Sequence, residues 1–376
     1  MSEEYLKRLP QLDPVNRETM IAYIRKQSLK QLQPSSIQDK TWRVYYLLKF
    51  LQFKDARAIT KENLEDYIIH RRKTVSPRTL QGDMIELRIF FRFLDPAKER
   101  EFFPADERME KPKIEYPDPL SREEIQRLVD ACNTVRDKAL VKFLWDTGSR
   151  LDEALSLNIG AVKFDQYGGA VKVGGKTGER ELWLIDCVPE LQNWINAHPQ
   201  RADPGAPLFI TYSRYGFGGR GLNERTVQNL CKTIQRNSGV ATPERVHPHA
   251  FRHARATDRA REGFTEMELR IMFGWSKSSN MPATYIHLSG ADVKKKILQK
   301  AGLQEREQEP GARPLDPVKC PRCGMLNERG LQICVRCNTP LSADAMRYLQ
   351  VGRDILEDPD LMMAYARARK KKTGKT

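Results

Sequence analysis

The sequence predicts a mostly helical protein with a small β component, an α+β chain divided into several folding units. Apolar residues recur at helical spacing before residue 100 and again after residue 120. Two short alternating runs on either side of a glycine-rich turn indicate one β-hairpin. The chain has 376 residues, enough for two or three domains, and two stretches of linker composition divide it.

The first predicted unit, residues 1–103, is a helical domain. Apolar side chains stand at i, i+3, i+4 and i+7 over residues 44–51, and at alternating steps of four and three over residues 80–94. Residues 104–119 follow with four prolines among charged residues, a composition that resists helix formation. We therefore predict a linker there and a domain boundary after residue 103.

The second predicted unit, residues 120–303, opens with a helix whose capping box is formed by Ser121 and Glu124. Alternating runs at residues 171–173 and 182–184 are the two strands of the predicted hairpin. Helical patterning returns downstream of the hairpin. This unit should therefore be mostly helical, with a little β structure.

The turn of the hairpin contains a Gly-Lys-Thr sequence that resembles part of a phosphate-binding loop. That motif needs a glycine at position 170, where this chain has Ala170, and it needs a helix where this sequence continues as a strand. We therefore predict that the chain does not hydrolyse nucleotides.

The last part of the chain holds a predicted metal module. Residues 304–317 have linker composition, residues 318–342 contain two CxxC pairs, and residues 343–376 form a helical, basic tail. Each CxxC turn supplies two thiolates to one tetrahedral ion, and four sulfurs fill its coordination sphere, so the predicted zinc is structural and not catalytic. The predicted ligands are Cys320, Cys323, Cys334 and Cys337.

The formal net charge of +15 predicts a polyanionic partner, because each phosphate that a cation neutralises releases condensed counterions. Nucleic acid is the first candidate and an anionic membrane the second. The chain opens without an apolar signal sequence, and no uncharged apolar run approaches about 18 residues, so we expect neither secretion nor a membrane span. Seven cysteines are too few for a disulfide scaffold, and we predict a cytoplasmic, nucleoid-associated protein.

Three of the six histidines fall within residues 247–253. His249 and His253 stand four apart, so one helical face would bring them together, as in some metal sites. No HExxH arrangement is present, and Arg252 would place a cation beside any metal. Cations among these imidazoles favour a bound phosphate.

Five strings, in this order and at suitable distances, resemble the catalytic domain of the tyrosine recombinase (phage integrase) family. They are TGSRLDE at 147–153, GKTGER at 175–180, HAFRHARAT at 249–257, GWS at 274–276 and ATYIH at 283–287. The resemblance covers roughly residues 120–303. The first unit resembles the family's core-binding domain by position and pattern, and the four-cysteine module resembles an extension on some archaeal-type members.

The resemblance implies that DNA is cleaved through a 3′-phosphotyrosine, with Tyr285 as the nucleophile. Arg150 and Arg252 would fork onto the non-bridging phosphate oxygens, a task for which a planar guanidinium is better suited than an ammonium. Glu153, one helical turn after Arg150, would hold that arginine in place. Taken singly, each of these residues also has a structural explanation, and it is the ordered set that favours catalysis.

Three further residues would complete the chemistry. Lys176, at the tip of the predicted hairpin, would protonate the leaving 5′ oxygen. His249 would accept the tyrosine proton or donate to the phosphate, and Trp275 would donate its indole N–H to the same oxygens. The family more often has a histidine at the position of Trp275, so more of the acid–base work would fall on Lys176 and His249. Tyr285 could act in its own protomer or in a neighbour.

The implied activity is site-specific recombination, in which two domains clamp double-stranded DNA and four protomers assemble on paired sites. The phosphotyrosine conserves bond energy, so neither ATP nor a metal is expected in the catalytic step. An accessory directionality factor is left open, as is whether the zinc module contacts DNA or another protomer.

Two other functions compete with recombination. One is a type IB topoisomerase-like monomer that nicks and reseals DNA, and the other is a catalytically silent, zinc-bearing DNA-binding regulator. A predicted helix at residues 291–303, placed after Tyr285 where it could dock on a neighbour, favours strand exchange. The complete set of predicted catalytic residues disfavours a silent regulator.

Overall fold

A computed structural model describes residues 12–30, 32–104, 118–175, 178–213, 216–240, 245–286, 297–298, 301, 315–358 and 360–363. The chain divides into two compact units, Met1–Glu115 and Tyr116–Thr376. Helices predominate and the strands are few and short, so the predicted fold class is confirmed. Within these described stretches, no helix is both long enough and apolar enough to cross a membrane.

The first unit is built from helices. They are α1 (Pro14–Ser28), α2 (Pro34–Phe50), α3 (Lys61–Thr74), α4 (Pro77–Leu94) and α5 (Pro96–Phe102). The side chains of Asp13, Thr60 and Ser76 accept hydrogen bonds from the first turns of α1, α3 and α4. The apolar stripes predicted at residues 44–51 and 80–94 lie on α2 and α4 and pack into the core of this unit, as the helical spacing requires.

The second unit contains more helices and all of the described strands. The helices are α6 (Arg122–Asp130), α7 (Val135–Thr147), α8 (Leu151–Leu155), α9 (Val188–Ala197), α10 (Glu224–Ser238), α11 (Pro248–Arg261), α12 (Glu266–Phe273), α13 (Met281–Tyr285) and α14 (Ala343–Glu357). The strands are β1 (Val162–Phe164), β2 (Gly169–Gly175), β3 (Gly178–Leu184), β4 (Ile210–Ser213), β5 (Gly216–Gly221), β6 (Val318–Lys319) and β7 (Leu326–Asn327). The predicted capping box of Ser121 and Glu124 begins α6.

Helix α7 is the centre of the second unit. It is buried along almost its whole length and packs against α6, α9 and α11. Because α11 lies against this buried helix, the polar residues that α11 carries occupy a fixed position over the core.

The predicted hairpin is confirmed as strands β2 and β3 of an antiparallel sheet with the order β1-β2-β3. Val171 pairs with Leu182, and both side chains are buried. Trp183, on the other face of β3, is 64% exposed, as the twofold alternation of a strand requires. Residues 176 and 177, in the turn, lie outside the described residues.

The chain is anchored to the second unit just before the cysteine module. Leu315 is fully buried in the core, and Lys142 Nζ donates a hydrogen bond of 2.8 Å to its carbonyl. Arg122 bonds to Asp316 at 2.9 Å and also to Asp258 and Glu262 at the end of α11. The end of the predicted linker 304–317 is therefore fixed by an apolar anchor and an ion-pair network.

Most of the helix predicted at residues 291–303 lies outside the described residues, as does the basic end of the tail. The described part of the tail contains α14, whose exposed residues include Met346, Tyr348 and Leu349.

Candidate active site and metal centre

Gly148 and Arg150 form one side of the candidate active site. Gly148 ends α7 in the left-handed conformation with φ +55°, and a Cβ there would lie 2.4 Å from the ring of Phe273. Arg150 precedes α8, and its backbone N–H and its Nη1 each donate to Glu153 at 2.8 Å. The Arg150 side chain remains 28% exposed, so its guanidinium is held in place and still accessible to a ligand.

Glu153 is a buried anion that binds two arginines. Arg180 reaches it from β3 and donates from Nη1 and Nη2 to the two carboxylate oxygens, both at 2.8 Å. Burial alone would raise the pKa of Glu153, but the hydrogen bonds from Arg180 and Arg150 outweigh it and lower the pKa to about 2. Glu153 therefore stays ionised and fixes both guanidinium groups.

Gly274 leaves room for Arg180. Its φ is +59°, and a Cβ there would lie 2.9 Å from Arg180 Nη1. Arg180 Nε also donates to the carbonyl of Met272 at 3.1 Å. The Gly-Trp-Ser string thus supplies a glycine backbone that Arg180 passes closely, in addition to the side chain of Trp275.

Arg252, on α11, lies near Arg150. It is 3% exposed, its Nη1 donates to the carbonyl of Gly148 at 2.8 Å, and its Nη2 donates to the carbonyl of Phe273. Arg150 Nη2 lies 3.4 Å from the following carbonyl, that of Gly274. Burial and the charges of nearby arginines lower the pKa of Arg252 to about 10, so the guanidinium remains charged at neutral pH. A phosphate would offset the repulsion between these cations.

Tyr285 ends α13, and its hydroxyl is hydrogen-bonded to Nδ1 of His253. Partial burial, helped by His249 and other neighbours, lowers the pKa of His253 to about 4, so this imidazole is neutral at pH 7. The rings of His249 and His253 meet edge to face, with centroids 4.8 Å apart. His253 is therefore a histidine that the structure places against the tyrosine, and the predicted role of His249 stays a prediction.

Trp275 contacts the tyrosine through its ring face. The rings of Trp275 and Tyr285 are stacked, with centroids 5.6 Å apart and an interplanar angle of 3°. Phe273 stacks on Trp275 at 5.0 Å, and the Arg252 guanidinium lies 5.5 Å from the centroid of Trp275. Trp275 thus connects the tyrosine to Arg252, and the predicted hydrogen bond from its indole N–H to phosphate stays a prediction.

Within one chain, Tyr285 stacks on Trp275, and Trp275 lies against Arg252. Lys176, the predicted general acid, lies outside the described residues. Gly175 and Gly178 pair across the end of the hairpin on either side of it. The role of Lys176 stays a prediction.

A cavity of about 960 Å³ opens beside Arg150 and His249. Helix α10 contributes Gln228, Lys232 and Arg236 to its lining. The arginine and histidine of the candidate site therefore lie next to a space that is lined by basic, acidic and apolar side chains and is large enough for several groups of a ligand.

Sequence analysis assigned no catalytic role to Arg180 or His253. Both occur inside the strings that carry the family resemblance, so their positions were visible but their partners were not. Arg180 is recognised only when β3 is placed against α8, and His253 only when α13 is placed against α11. A histidine directly after the arginine of the HxxR string was the one available signal.

The four predicted cysteine ligands converge on one point. Their sulfur atoms all lie within 4.8 Å of one another, with 3.5 Å between Cys320 and Cys337 and 3.7 Å between Cys323 and Cys334. A tetrahedral zinc with Zn–S bonds of about 2.3 Å would separate its ligands by roughly 3.8 Å. The cluster therefore has the chemistry and the spacing of a zinc site.

The two CxxC turns have the same backbone design. The residue after each pair is left-handed, Gly324 with φ +73° and Asn338 with φ +56°. The N–H of Gly324 donates to the carbonyl of Cys320, and the N–H of Asn338 donates to that of Cys334. Glycine and asparagine are the residues that adopt this conformation at least cost, so the sequence itself encodes both turns.

Comparison with known proteins finds tyrosine recombinases and the phage integrase family. The family model described as the phage integrase family matches residues 119–291. The chain is 30% identical over 224 residues to tyrosine recombinase XerD of Haemophilus ducreyi, covering 57% of this chain and 72% of the relative. It is 26% identical over 266 residues to tyrosine recombinase XerA of Pyrococcus furiosus, covering 69% of this chain and 87% of the relative.

Two solved structures share the fold. The XerH site-specific recombinase bound to its difH substrate matches with a TM-score of 0.58 and 17% identity, covering 79% of this chain and 87% of that one. A lambda integrase dimer bound to a core site matches with a TM-score of 0.56 and 12% identity, covering 78% of this chain and 99% of that one.

Proposed function

This chain belongs to the phage integrase family of tyrosine recombinases, and from that membership we propose that its pocket breaks and rejoins DNA through a phosphodiester bond to Tyr285. The protein is a site-specific DNA recombinase. The observation that carries the residue assignment is the convergence of a tyrosine hydroxyl, a neutral histidine, the buried Arg252 and the partly exposed Arg150 in one cluster.

Arg150 and Arg252 bind the non-bridging oxygens of the scissile phosphate. Both guanidiniums are fixed by hydrogen bonds before DNA arrives, and cations held in advance stabilise the negative charge of the phosphorane without a cost of reorganisation. Glu153 is a positioning residue for Arg150. Arg180 donates hydrogen bonds to the same carboxylate and holds Glu153 in place.

Tyr285 attacks the phosphorus, and the stacked ring of Trp275 holds the phenol in place. His249, which borders the cavity, donates to the phosphate. Lys176 protonates the leaving 5′ oxygen. These residues supply a nucleophile, an acid and cations, so the step needs no metal and no ATP.

The four cysteines hold a structural zinc ion, because four sulfurs at tetrahedral spacing leave no open coordination position. When bound, the ion supplies a cross-link that orders a segment with few buried apolar residues. It takes no part in the chemistry at Tyr285.

Double-stranded DNA with specific paired sites is the substrate. Exchange between two duplexes requires four strand cleavages, and each chain carries one Tyr285, so four protomers assemble on the paired sites. The protein acts in the cytoplasm on nucleoid DNA, and a directionality factor would bias the reaction in one direction.

The test is to trap the covalent intermediate. The protein is incubated with supercoiled plasmids that carry DNA from its own source, in one arm with EDTA and in another with zinc and no chelator. We expect a 3′ protein–DNA adduct with wild type and none with Tyr285→Phe, which removes the hydroxyl and keeps the ring. An adduct on the Tyr285→Phe protein would show that another residue is the nucleophile.

The mapped adduct positions then give the site for an exchange assay with two marked duplexes. Joined products from both duplexes are the expected result. Relaxation of supercoils without any exchanged product would instead support a topoisomerase-like activity.

A further inference from the structure

We propose that His253 is the base that accepts the phenolic proton of Tyr285 during cleavage, an inference that rests on the proposed function. Nδ1 of His253 is hydrogen-bonded to the Tyr285 hydroxyl. A general base must lie within hydrogen-bond reach of the proton that it removes, and His253 meets this geometric condition. His253 touches the reacting atom and is thus a catalytic residue.

The orientation of the His253 ring is fixed from two sides. Its plane is tilted by 41° to the ring of Tyr285, with centroids 5.8 Å apart, and His249 packs edge-on at 4.8 Å. The backbone of His253 lies inside α11, and its carbonyl accepts a hydrogen bond from Thr257 Oγ1 at 3.0 Å. Packing and helix therefore keep Nδ1 directed at the phenol.

The protonation state suits a base. Partial burial, followed by the influence of His249, His247 and Arg252, lowers the pKa of His253, so the ring is neutral at pH 7. A neutral ring with its proton on Nε2 presents the lone pair of Nδ1 to the tyrosine. A phosphate between Arg150 and Arg252 would offset the cations and favour the imidazolium at the moment when the proton moves.

The step balances as a single transesterification. The O–H bond of Tyr285 breaks and its proton passes to Nδ1 of His253, while the phenolic oxygen forms a bond to phosphorus. The bond from phosphorus to the 5′ oxygen breaks, and that oxygen takes a proton from a separate acid, proposed above as Lys176. In rejoining, the imidazolium of His253 returns its proton to the departing phenol.

The experiment compares His253→Asn with wild type in single-turnover adduct formation. Asparagine keeps a hydrogen-bond acceptor near the position of Nδ1 and lacks a basic nitrogen. Two DNA substrates are used, an ordinary duplex and one in which sulfur replaces the bridging 5′ oxygen, since a thiolate leaves without a proton. We expect cleavage to fall by roughly 10²- to 10³-fold on both substrates.

The matched control is His70→Asn, the same chemical change at an exposed position of α3 in the first unit. It should cleave both substrates within about threefold of wild type, because changes away from the reacting atoms have small effects. A His253→Asn protein as fast as this control would overturn the proposal and leave His253 as a positioning residue. Recovery on the sulfur substrate would also overturn it, because His253 would then serve the leaving group.

A second variant tests the same role if His253→Asn fails to fold. His253→Ala is assayed with added imidazole, which can occupy the vacated space and supply the missing base. Recovery of adduct formation is expected, and a folded His253→Ala protein without recovery would refute the base role. Tyr285→Phe in the same assay distinguishes a failure of the proposed function from a failure of the base role of His253. An adduct on Tyr285→Phe would refute the proposed function. A Tyr285-dependent adduct that His253→Asn forms as fast as the control would refute only the base role.

Discussion

The candidate active-site pocket and the cysteine module both gather reactive side chains to one point, but they do so over different distances in the sequence. The four cysteines lie within 18 positions, on two turns of the same design. The pocket takes Arg150, Arg180, Arg252 and Tyr285 from separate elements and fixes its arginines with backbone carbonyls and one buried carboxylate. We expect the short module to need a metal in order to fold, whereas the large core around the pocket folds without one.

This comparison predicts that DNA cleavage is sensitive to the pocket and nearly independent of the zinc. The rate of adduct formation in a single turnover can be compared directly between variants of the pocket and variants of the cysteine module. The three variants that follow are arranged from the largest expected effect to the smallest.

Arg252→Lys should have the largest effect. Lysine keeps one charge but cannot bond to the carbonyls of Gly148 and Phe273 while also facing a phosphate. We expect a loss of about 10²- to 10³-fold in adduct formation, the usual result of removing one donor to a transition-state oxyanion. Arg261→Lys, at the exposed end of the same helix, is the control and should stay within about threefold of wild type. An Arg252→Lys rate equal to that of the control would show that the pocket works through charge alone.

Glu153→Gln should have an intermediate effect. It removes the anion that Arg150 and Arg180 share, so both guanidiniums lose their fixed orientation. We expect roughly a 10-fold loss in adduct formation, smaller than for Arg252 because Arg150 itself remains. Glu123→Gln makes the same chemical change at an exposed position of α6 and should change the rate little. Equal rates of adduct formation for the two variants would show that Glu153 does not position the arginines for cleavage.

The same carboxylate predicts how the second unit responds to acid. The pKa of Glu153 is lowered to about 2 in the folded protein, against an ordinary value of 4.5. Its ionisation therefore stabilises the fold above about pH 4.5, and this contribution is lost as the pH falls towards 2. Chemical denaturation between these pH values should show a steeper loss of stability for wild type than for Glu153→Gln. Parallel curves for the two proteins would contradict the assignment.

Zinc removal should have the smallest effect on cleavage. Cys334→Ser should lose bound zinc, measured by mass spectrometry under native conditions, and should still form the adduct within about threefold of wild type at low temperature. Its thermal midpoint should fall by roughly 5 °C, because the anchor at Leu315 and Asp316 loosens when the module unfolds. Cys231→Ser, at a buried cysteine outside the cluster, controls for the substitution.

If Cys334→Ser lost as much cleavage as Arg252→Lys, the pocket would depend on the cysteine module after all. The module would then be coupled to the pocket through Arg122, which bonds to Asp316 beside the module and to Asp258 and Glu262 at the end of α11. That helix carries Arg252 and His253.

Local sequence signals gave much of the fold. The capping box at Ser121, the β-hairpin around residues 171–184 and the helical stripes of the first unit all depend on neighbouring residues, and each is present. The helix predicted at residues 291–303 falls mostly outside the described residues and stays a prediction.

Partners distant in sequence were harder to predict. Leu315 is one buried apolar residue at the end of a polar stretch, and only the core that it enters distinguishes it from a linker residue. The bidentate contact of Arg180 with Glu153 and the contact of His253 with Tyr285 likewise depend on which elements pack together.

The sequence by itself determined the cysteine module, because its turns use close spacing and two residues suited to left-handed backbone. It also determined the residue types of the candidate active site, since five strings carry them in order. Only the tertiary structure decided which histidine meets the tyrosine and which arginine supports Glu153. The histidine depends on the packing of α11 against α7 and α13, and the arginine depends on the placement of β3 beside α8. Such packing is a property of whole surfaces that no local motif contains.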